Sequence, residues 1–243
     1  MNICVYVERT FGVHYTVSGM TKWLRVHKFS YKYPKNTTAK ADTAKQEEFI
    51  ERYIELVADT PKAEPILFMD SAHQTMATKI ACGWIKRGVD KLIAQTASRT
   101  RVNVMGAIEL SAMKVTSCRP EYVNAKAIVA FFDQLKASYP DAPQIHVILD
   151  QSGYHKSHLV QKAALEKNIK LHYLPPYSPN LNSIERLWKV MNEQVWNNVF
   201  FSSAKMFRDA INDFFDVTLP KIAYSLRGRI NDNFQTINPL PSG

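Results

Sequence analysis

The sequence predicts an α/β fold, in which a mixed β-sheet is flanked by helices and preceded by a small helix-turn-helix segment. Three observations support this prediction. From residue 63 onward, short apolar runs typical of buried strands alternate with amphipathic patterns typical of helices. Two of these runs end in an acid. Most of the net charge of +9 lies in residues 1–45, which carry eight basic side chains and two acidic ones.

Residues 1–33 are predicted to form a partial helix-turn-helix that binds DNA. The run "ICVYVERT" is followed by Gly12, which suits a turn, and "VSGMTKWLRVHKF" then carries apolar residues at helical spacing. Lys22, Arg25 and Lys28 fall mostly on the face of this predicted helix opposite the apolar residues, as expected of a recognition helix lying against DNA. Charge alone also fits a solubilising tail, but the apolar pattern favours a folded segment that binds a polyanion.

Residues 34–62 are predicted to form a linker and a helix. The stretch "KYPKNTTAKAD" is polar and contains proline, which is typical of a linker. Thr43 and Gln46 then make a capping-box pattern before "EEFIERYIELVAD". The apolar stripe of that stretch predicts a helix that packs on the next domain.

Residues 63–217 are predicted to form the main domain. Strands are predicted at "PILFMD", "WIKRGVDKLI" and "RVNVMGAIEL", followed by a helix from Asn124 to Pro140. The strand "IHVILD", the helix "SHLVQKAALEKN", the strand "IKLHYL" and a last helix containing Glu185 complete the series. This order is typical of a mixed sheet. Residues 218–243 are interpreted as a C-terminal tail.

Three carboxylates are candidates for a shared site. Asp70 and Asp150 each lie at the C-terminal end or in the interior of a predicted strand, and ligands of open α/β sheets gather at the carboxyl ends of strands. Either Asp alone is more often a turn or cap residue. Glu185 has two interpretations: the N3 position of a near-capping box with Asn182 as N-cap, or the third arm of a metal site. Three carboxylates from different elements suit a hard divalent cation such as Mg²⁺.

Motifs of other site types are missing from the sequence. Cys4, Cys82 and Cys118 form no CxxC pair, so neither a disulfide framework nor a thiolate zinc site is indicated. No phosphate-binding loop of the GxxxxGK[ST] type and no nucleophile elbow is present. Because neither a signal peptide nor a membrane span is recognisable, we expect a cytoplasmic protein with no membrane partner, associated with the nucleoid when bound to DNA.

Three blocks, "FMDSAH", "VILDQSGYHKS" and "LPPYSPNLNSIERLWKVMNE", resemble the catalytic blocks of DDE transposases of the bacterial insertion sequence 630 family, in the Tc/mariner superfamily. The 34 residues between Asp150 and Glu185 match the spacing of that family. Gln151 stands where the family often has Asn, and Ser183 where it often has Pro. The stretch "FGVHYTVSGMTKWLRVHKFSYK" resembles the second helix-turn-helix of these proteins.

The resemblance implies an RNase H-like domain in which Asp70, Asp150 and Glu185 are catalytic and bind two Mg²⁺ ions, for which Mn²⁺ can substitute. It further implies that double-stranded DNA is cut at terminal inverted repeats and that the freed 3′-hydroxyl is joined to target DNA, usually at TA. Action on paired DNA ends implies a homodimer on DNA. Since relatives begin with another helix-turn-helix, we expect such a segment to be encoded upstream or to have been lost.

Four further residues are predicted either to support the metal ligands or to contact DNA: Gln151, His155, Lys156 and Arg186. His155 also fits a plain capping or packing role, and the role of His73 stays open. Two rival functions remain at this point. One is a catalytically impaired remnant that occupies inverted repeats without cutting them, and the other is an RNase H-fold nuclease with no role in transposition.

Overall fold

In the computed structural model the chain divides into two compact units, residues 1–37 and 38–243. The structure describes residues 3–31, 42–96 and 98–236. The predicted linker therefore lies outside the described residues, apart from its last residue. Within the described ranges, no helix combines the length and the apolar character needed to cross a membrane.

The first unit contains two helices, as predicted. Helix α1 (Ile3–Phe11) and helix α2 (Val17–Val26) flank a turn at Gly12, whose φ of +67° favours glycine. Met20 of α2 is buried. The side chains predicted to lie against DNA are exposed, which leaves them available to a polyanion: Lys22, Arg25 and Lys28.

The second unit is built on a five-stranded mixed sheet with the order β3-β2-β1-β4-β5. The strands are β1 (Ile66–Thr75), β2 (Arg101–Glu109), β3 (Lys114–Cys118), β4 (Ile145–Leu149) and β5 (Ile169–Tyr173). Strand β2 is antiparallel to β1 and β3, whereas β4 is parallel to β1 and β5. Because β1 and β4 are parallel neighbours, their C-terminal ends lie at the same edge of the sheet.

Helices cover both faces of this sheet. They are α3 (Thr43–Asp59), α4 (Ala125–Ser138), α5 (His158–Glu166), α6 (Ile184–Val195) and α7 (Ala204–Asp213). Helices α4 and α5 pack on one face with a core that includes Phe131 and Phe132. Helices α3, α6 and α7 contribute to the core on the other face, which includes Phe68 and Trp188. Burial of each large apolar side chain contributes about 1.5–3 kcal/mol, so both faces of the sheet are anchored.

Helix α3 docks on the main domain, as predicted, with Phe49 and Tyr53 buried. Its N-cap differs from the prediction. Asp42 occupies the N-cap and its side chain accepts a backbone amide of the first turn, whereas Thr43 is already helical. The predicted partner of the capping box, Gln46, is buried.

Two strand assignments from the sequence are wrong. Residues 84–93 form no strand, and most of their apolar side chains, including Trp84 and Leu92, are exposed. That prediction rested on apolar content alone, and apolar content does not show whether the side chains are buried. Strand β3 was missed, since it is a short edge strand whose residues are at most half-buried and show no apolar alternation.

The stretch interpreted as a C-terminal tail is packed over its described part. After α7 the chain continues through a π-helical segment (Phe214–Thr218), α8 (Leu219–Ile222) and a 3₁₀ helix (Ala223–Gly228). Leu219, Leu226 and Ile230 are buried in the core shared with α6 and α7. The predicted boundary at residue 217 therefore falls inside a continuous packed region.

Candidate active site

The three predicted carboxylates line one cavity of about 450 Å³. Asp70 lies in the interior of β1, Asp150 directly follows β4, and Glu185 lies in the first turn of α6. The parallel pairing of β1 and β4 brings the two Asp residues to one edge of the sheet, and α6 contacts β1 there. The turn 174–179, "LPPYSP", lines the same cavity. Residues far apart in sequence thus line one cavity.

Asp150 is fixed by three hydrogen bonds. The amide and hydroxyl of Ser152 donate to Oδ1 and Oδ2 at 3.0 Å and 2.8 Å. Nδ1 of His155 lies 2.6 Å from Oδ1 of Asp150, and His155 is buried. Burial alone would raise the pKa of Asp150, but the bonds from His155 and Ser152 outweigh it and lower this pKa to about 2. Asp150 is therefore held ionised and in one orientation.

Asp70 is held by the indole of Trp188, whose Nε1–H donates to Oδ2 at 2.9 Å. Space for that indole comes from Gly106, which pairs with Asp70 across β1 and β2. A Cβ at position 106 would lie only 2.9 Å from Cη2 of Trp188. Burial, and also the charge of Asp150, raises the pKa of Asp70, while the Trp188 bond opposes that rise. The indole therefore favours the ionised carboxylate.

Glu185 is not part of the predicted capping box. Ser183, not Asn182, occupies the N-cap of α6, and the side-chain amide of Asn182 donates to the Met69 carbonyl at 3.2 Å. Among the described residues, nothing forms a hydrogen bond or ion pair with the Glu185 carboxylate. Burial, followed by the charge of Asp70, raises the pKa of Glu185 to about 7. The structure thus gives no support to the cap interpretation.

The residues around the cavity suit a hard divalent cation. Two of the three carboxylates have raised pKa values through burial and mutual repulsion, which a bound cation would relieve. Oδ1 of Asn182, a residue that lines the cavity, is buried without a partner among the described residues. In their present positions, however, no three Asp, Glu, His or Cys side chains of the described residues lie close enough together to hold a metal. Binding an ion therefore requires these side chains to move together.

The other predicted residues make contacts within the protein. Gln151 donates to the Leu174 carbonyl at 2.9 Å and accepts from Nζ of Lys156 at 2.5 Å, which ties the end of β4 to the turn after β5. Arg186 donates to Oδ1 of Asn231 at 2.8 Å and anchors the C-terminal segment. Contacts of Gln151, Lys156 and Arg186 with DNA stay predictions.

Sequence reasoning missed the support that neighbouring side chains give to the carboxylates. Trp188 is a buried core residue, and its bond to Asp70 was not foreseen. A signal existed, because a buried indole N–H usually finds an acceptor and Trp188 lies three residues after Glu185 on α6. Ser152 follows Asp150 by two residues, a common spacing for local side-chain bonds. His73 pairs with Asn103 at 2.8 Å and does not line the cavity.

Comparison with known proteins identifies the family. Residues 65–208, more than half of the chain, match the family model described as DDE superfamily endonuclease. The chain belongs to this family. Within this DDE superfamily endonuclease, residues 2–53 match a winged helix-turn-helix model, which confirms the predicted N-terminal helix-turn-helix.

Two curated relatives resemble this chain. It is 27% identical over 158 residues to the "Insertion element IS630 uncharacterized 39 kDa protein" of Shigella sonnei, covering 64% of this chain and 46% of that protein. It is 32% identical over 80 residues to the uncharacterized protein y4pE/y4sA of Sinorhizobium fredii, covering 33% of this chain and 57% of the relative. The chain spans about half the length of these relatives. The first of them confirms the resemblance to the insertion sequence 630 family.

Solved structures of Mos1 transposase share the fold. The Mos1 strand transfer complex aligns with a TM-score of 0.64 at 14% identity, over 92% of this chain and 69% of that one. The Mos1 paired-end complex with the left transposon end aligns with a TM-score of 0.63 at 14% identity, over 97% and 76%. The predicted RNase H-like fold is thus confirmed.

Proposed function

We propose that this DDE superfamily endonuclease is a DNA transposase that cuts transposon ends at terminal inverted repeats and joins the 3′-hydroxyl to target DNA at TA. One observation carries the proposal: Asp70, Asp150 and Glu185 line a single cavity at one edge of the sheet. Support also comes from the relatives, since one belongs to an insertion element and the Mos1 structures include a complex with a transposon end.

In this proposal Asp70, Asp150 and Glu185 hold two Mg²⁺ ions, or Mn²⁺ in their place. Such ions activate the attacking oxygen and stabilise the leaving oxygen in phosphoryl transfer. The protein supplies position and charge. His155 and Ser152 keep Asp150 ionised and oriented, which lets it accept a cation without first losing a proton.

DNA is held by basic surfaces of the protein. The exposed side chains of Lys22, Arg25 and Lys28 suit phosphate contacts in the N-terminal unit. The net charge of +9 favours association with a polyanion over the whole chain. We further propose that a homodimer pairs two DNA ends.

The test is cleavage of a plasmid that carries the terminal inverted repeats of the encoding element, with Mg²⁺ present. We expect nicks at the repeat ends and a loss of at least about 10³-fold in rate for Asp150→Asn, since a metal site contributes several kcal/mol. Asp141→Asn is the matched control, because Asp141 is exposed and does not line the cavity. Cleavage that survives Asp150→Asn would contradict the proposal, and binding without cleavage by the wild type would favour a remnant.

A further inference from the structure

A second cavity, of about 310 Å³, lies at the N-terminal end of β2, beside the loop after β3 and helix α7. Its polar lining is dominated by cations. The charged and amide side chains among its lining residues are Arg101, Arg119, Arg208, Glu121, Asn103 and Asn212. Three guanidinium groups face one carboxylate, so the cavity favours an anion.

Arg119 is the most constrained of these cations. Its Nη1 donates to Oγ of Ser117 at 3.0 Å, and its guanidinium lies 4.5 Å from the ring centre of Phe215. Nε and Nη2 are buried and have no partner among the described residues. Burial lowers the pKa of Arg119, and only the charge of Asp216 and that of Cys118 oppose this. The fold thus fixes a guanidinium in place and leaves part of its bonding capacity unused.

Arg101 and Arg208 are exposed and form no ion pair or side-chain hydrogen bond within the described part of the chain. Arg229, by contrast, binds both carboxylate oxygens of Glu193 at 2.8–2.9 Å. Guanidinium groups bind phosphate through paired, directional hydrogen bonds, which makes several unpaired arginines around one cavity suited to that ligand.

The position of the cavity relates it to the carboxylates. Arg101 pairs with Thr75, the last residue of β1, which lies five residues beyond Asp70. Five residues of strand span roughly 17 Å. Phe215, whose ring lies against the guanidinium of Arg119, also contacts Trp188 edge-on with ring centres 6.4 Å apart. Since successive nucleotides of one DNA strand rise about 3.4 Å, this span corresponds to roughly five nucleotides.

We propose that the cavity formed by Arg101, Arg119 and Arg208 binds a backbone phosphate of the DNA whose scissile phosphate lies at the carboxylates, roughly five nucleotides away. The inference rests on the proposed function. The ligand is a phosphodiester rather than a base edge, because three guanidinium groups beside one carboxylate favour an anion, and a base edge is uncharged. Its contribution to binding is therefore independent of base sequence.

The test measures binding of the full chain to a duplex of the terminal inverted repeat in EDTA, over a series of KCl concentrations. The variants are Arg208→Gln, which alters an exposed side chain, and Arg119→Lys, which keeps the charge but loses the planar fork. The control is Lys162→Gln, which removes one charge from exposed Lys162 on α5, a helix that packs on the opposite face of the sheet. Thermal unfolding of each variant verifies that it is folded.

We expect Arg208→Gln to weaken binding roughly ten- to hundredfold relative to Lys162→Gln and to lower the salt slope by about 0.9, the value for one lost phosphate contact. Arg119→Lys should also weaken binding more than the control. Equal affinities and slopes for Arg208→Gln and Lys162→Gln, with tight wild-type binding, would overturn the cavity assignment and leave the proposed function standing. Absence of any wild-type binding would overturn both.

A second measurement locates the phosphate. Duplexes that each carry one uncharged methylphosphonate are compared for the wild type and for Arg208→Gln. We expect one position, roughly five nucleotides from the cut, at which the replacement weakens the wild type but not the variant. If every position weakens both proteins equally, no phosphate is held at Arg208 and the proposal fails.

Discussion

Replacing Trp188 by Phe tests how Asp70 is positioned. The change keeps a buried aromatic ring but removes the Nε1–H that donates to Oδ2 of Asp70 at 2.9 Å. Hydrogen bonds to charged groups contribute about 1.5–3 kcal/mol, so we expect the free energy of unfolding to fall by that amount beyond the cost of the smaller ring. Urea titration at neutral pH measures this loss. Cleavage should fall roughly 10–100-fold, as is usual when a group supporting a metal ligand is removed.

Trp196 provides the matched control for this substitution. It is also buried, at the end of α6, but its indole N–H has no acceptor among the described residues. Trp196→Phe therefore reports the cost of the smaller ring alone. In an Asp70→Ala background, Trp188→Phe should cost no more than Trp196→Phe. Equal losses for the two substitutions in the wild-type background would refute the proposed role of the Trp188 bond.

Three further substitutions test neighbouring contacts. Gly106→Ala places a Cβ 2.9 Å from Trp188, so we expect a loss of about 1–3 kcal/mol in urea titration and reduced cleavage. His155→Phe removes a bond to Asp150, and we expect cleavage to slow roughly 10–100-fold in single-turnover assays. Burial lowers the pKa of His172 to about 4. Between pH ~6.5 and about 4, the unfolded chain therefore binds a proton at this histidine and the folded chain does not. Stability should therefore fall as the pH drops from about 6.5 to 4, on the order of 1–2 kcal/mol after allowance for partial exposure, and His172→Gln should remove this dependence.

Control variants accompany the first two of these substitutions, and the third is judged by its pH profile. Gly153→Ala meets no atom within 4 Å and should be nearly neutral, so a comparable loss there would argue against crowding at Gly106. His158→Phe changes an exposed histidine, and a similar slowing would show that the effect of His155→Phe is unspecific. For His172, the nearby His146, Lys170 and Arg52 also depress its pKa. A stability profile that is the same for wild type and His172→Gln would contradict the assignment.

Periodicity predicted most of the sheet. Strands β1 and β4 were found because "ILFM" and "IHVIL" are short apolar runs that fill the core, and β2 was found from its alternation. Strand β5 was also found, although only Ile169 of that strand is buried. Strand β3 escaped, since it is a short edge strand whose residues are at most half-buried and show no apolar alternation. Residues 84–93 were wrongly predicted to form a strand, because exposed apolar residues such as Trp84 give the same local sequence pattern as buried ones.

The site was predictable as a set of acids but not as a geometry. Sequence placed Asp70 and Asp150 at strand ends, and the parallel pairing of β1 with β4 makes them neighbours. Whether Glu185 caps its own helix depends on where α6 begins, and a shift of one residue separates the two interpretations. The bond from Trp188 to Asp70 joins residues 118 positions apart, which no local pattern encodes.

The most direct test of the account is where a divalent cation binds in crystals of the protein grown with Mn²⁺. Anomalous diffraction at the manganese edge locates the ion independently of any assay. We expect an anomalous peak coordinated by Asp70, Asp150 and Glu185, which move together around it, and no such peak in Glu185→Gln crystals. A peak elsewhere, or one at this cavity that is unchanged in Glu185→Gln, would contradict the assignment of these three carboxylates as one metal site.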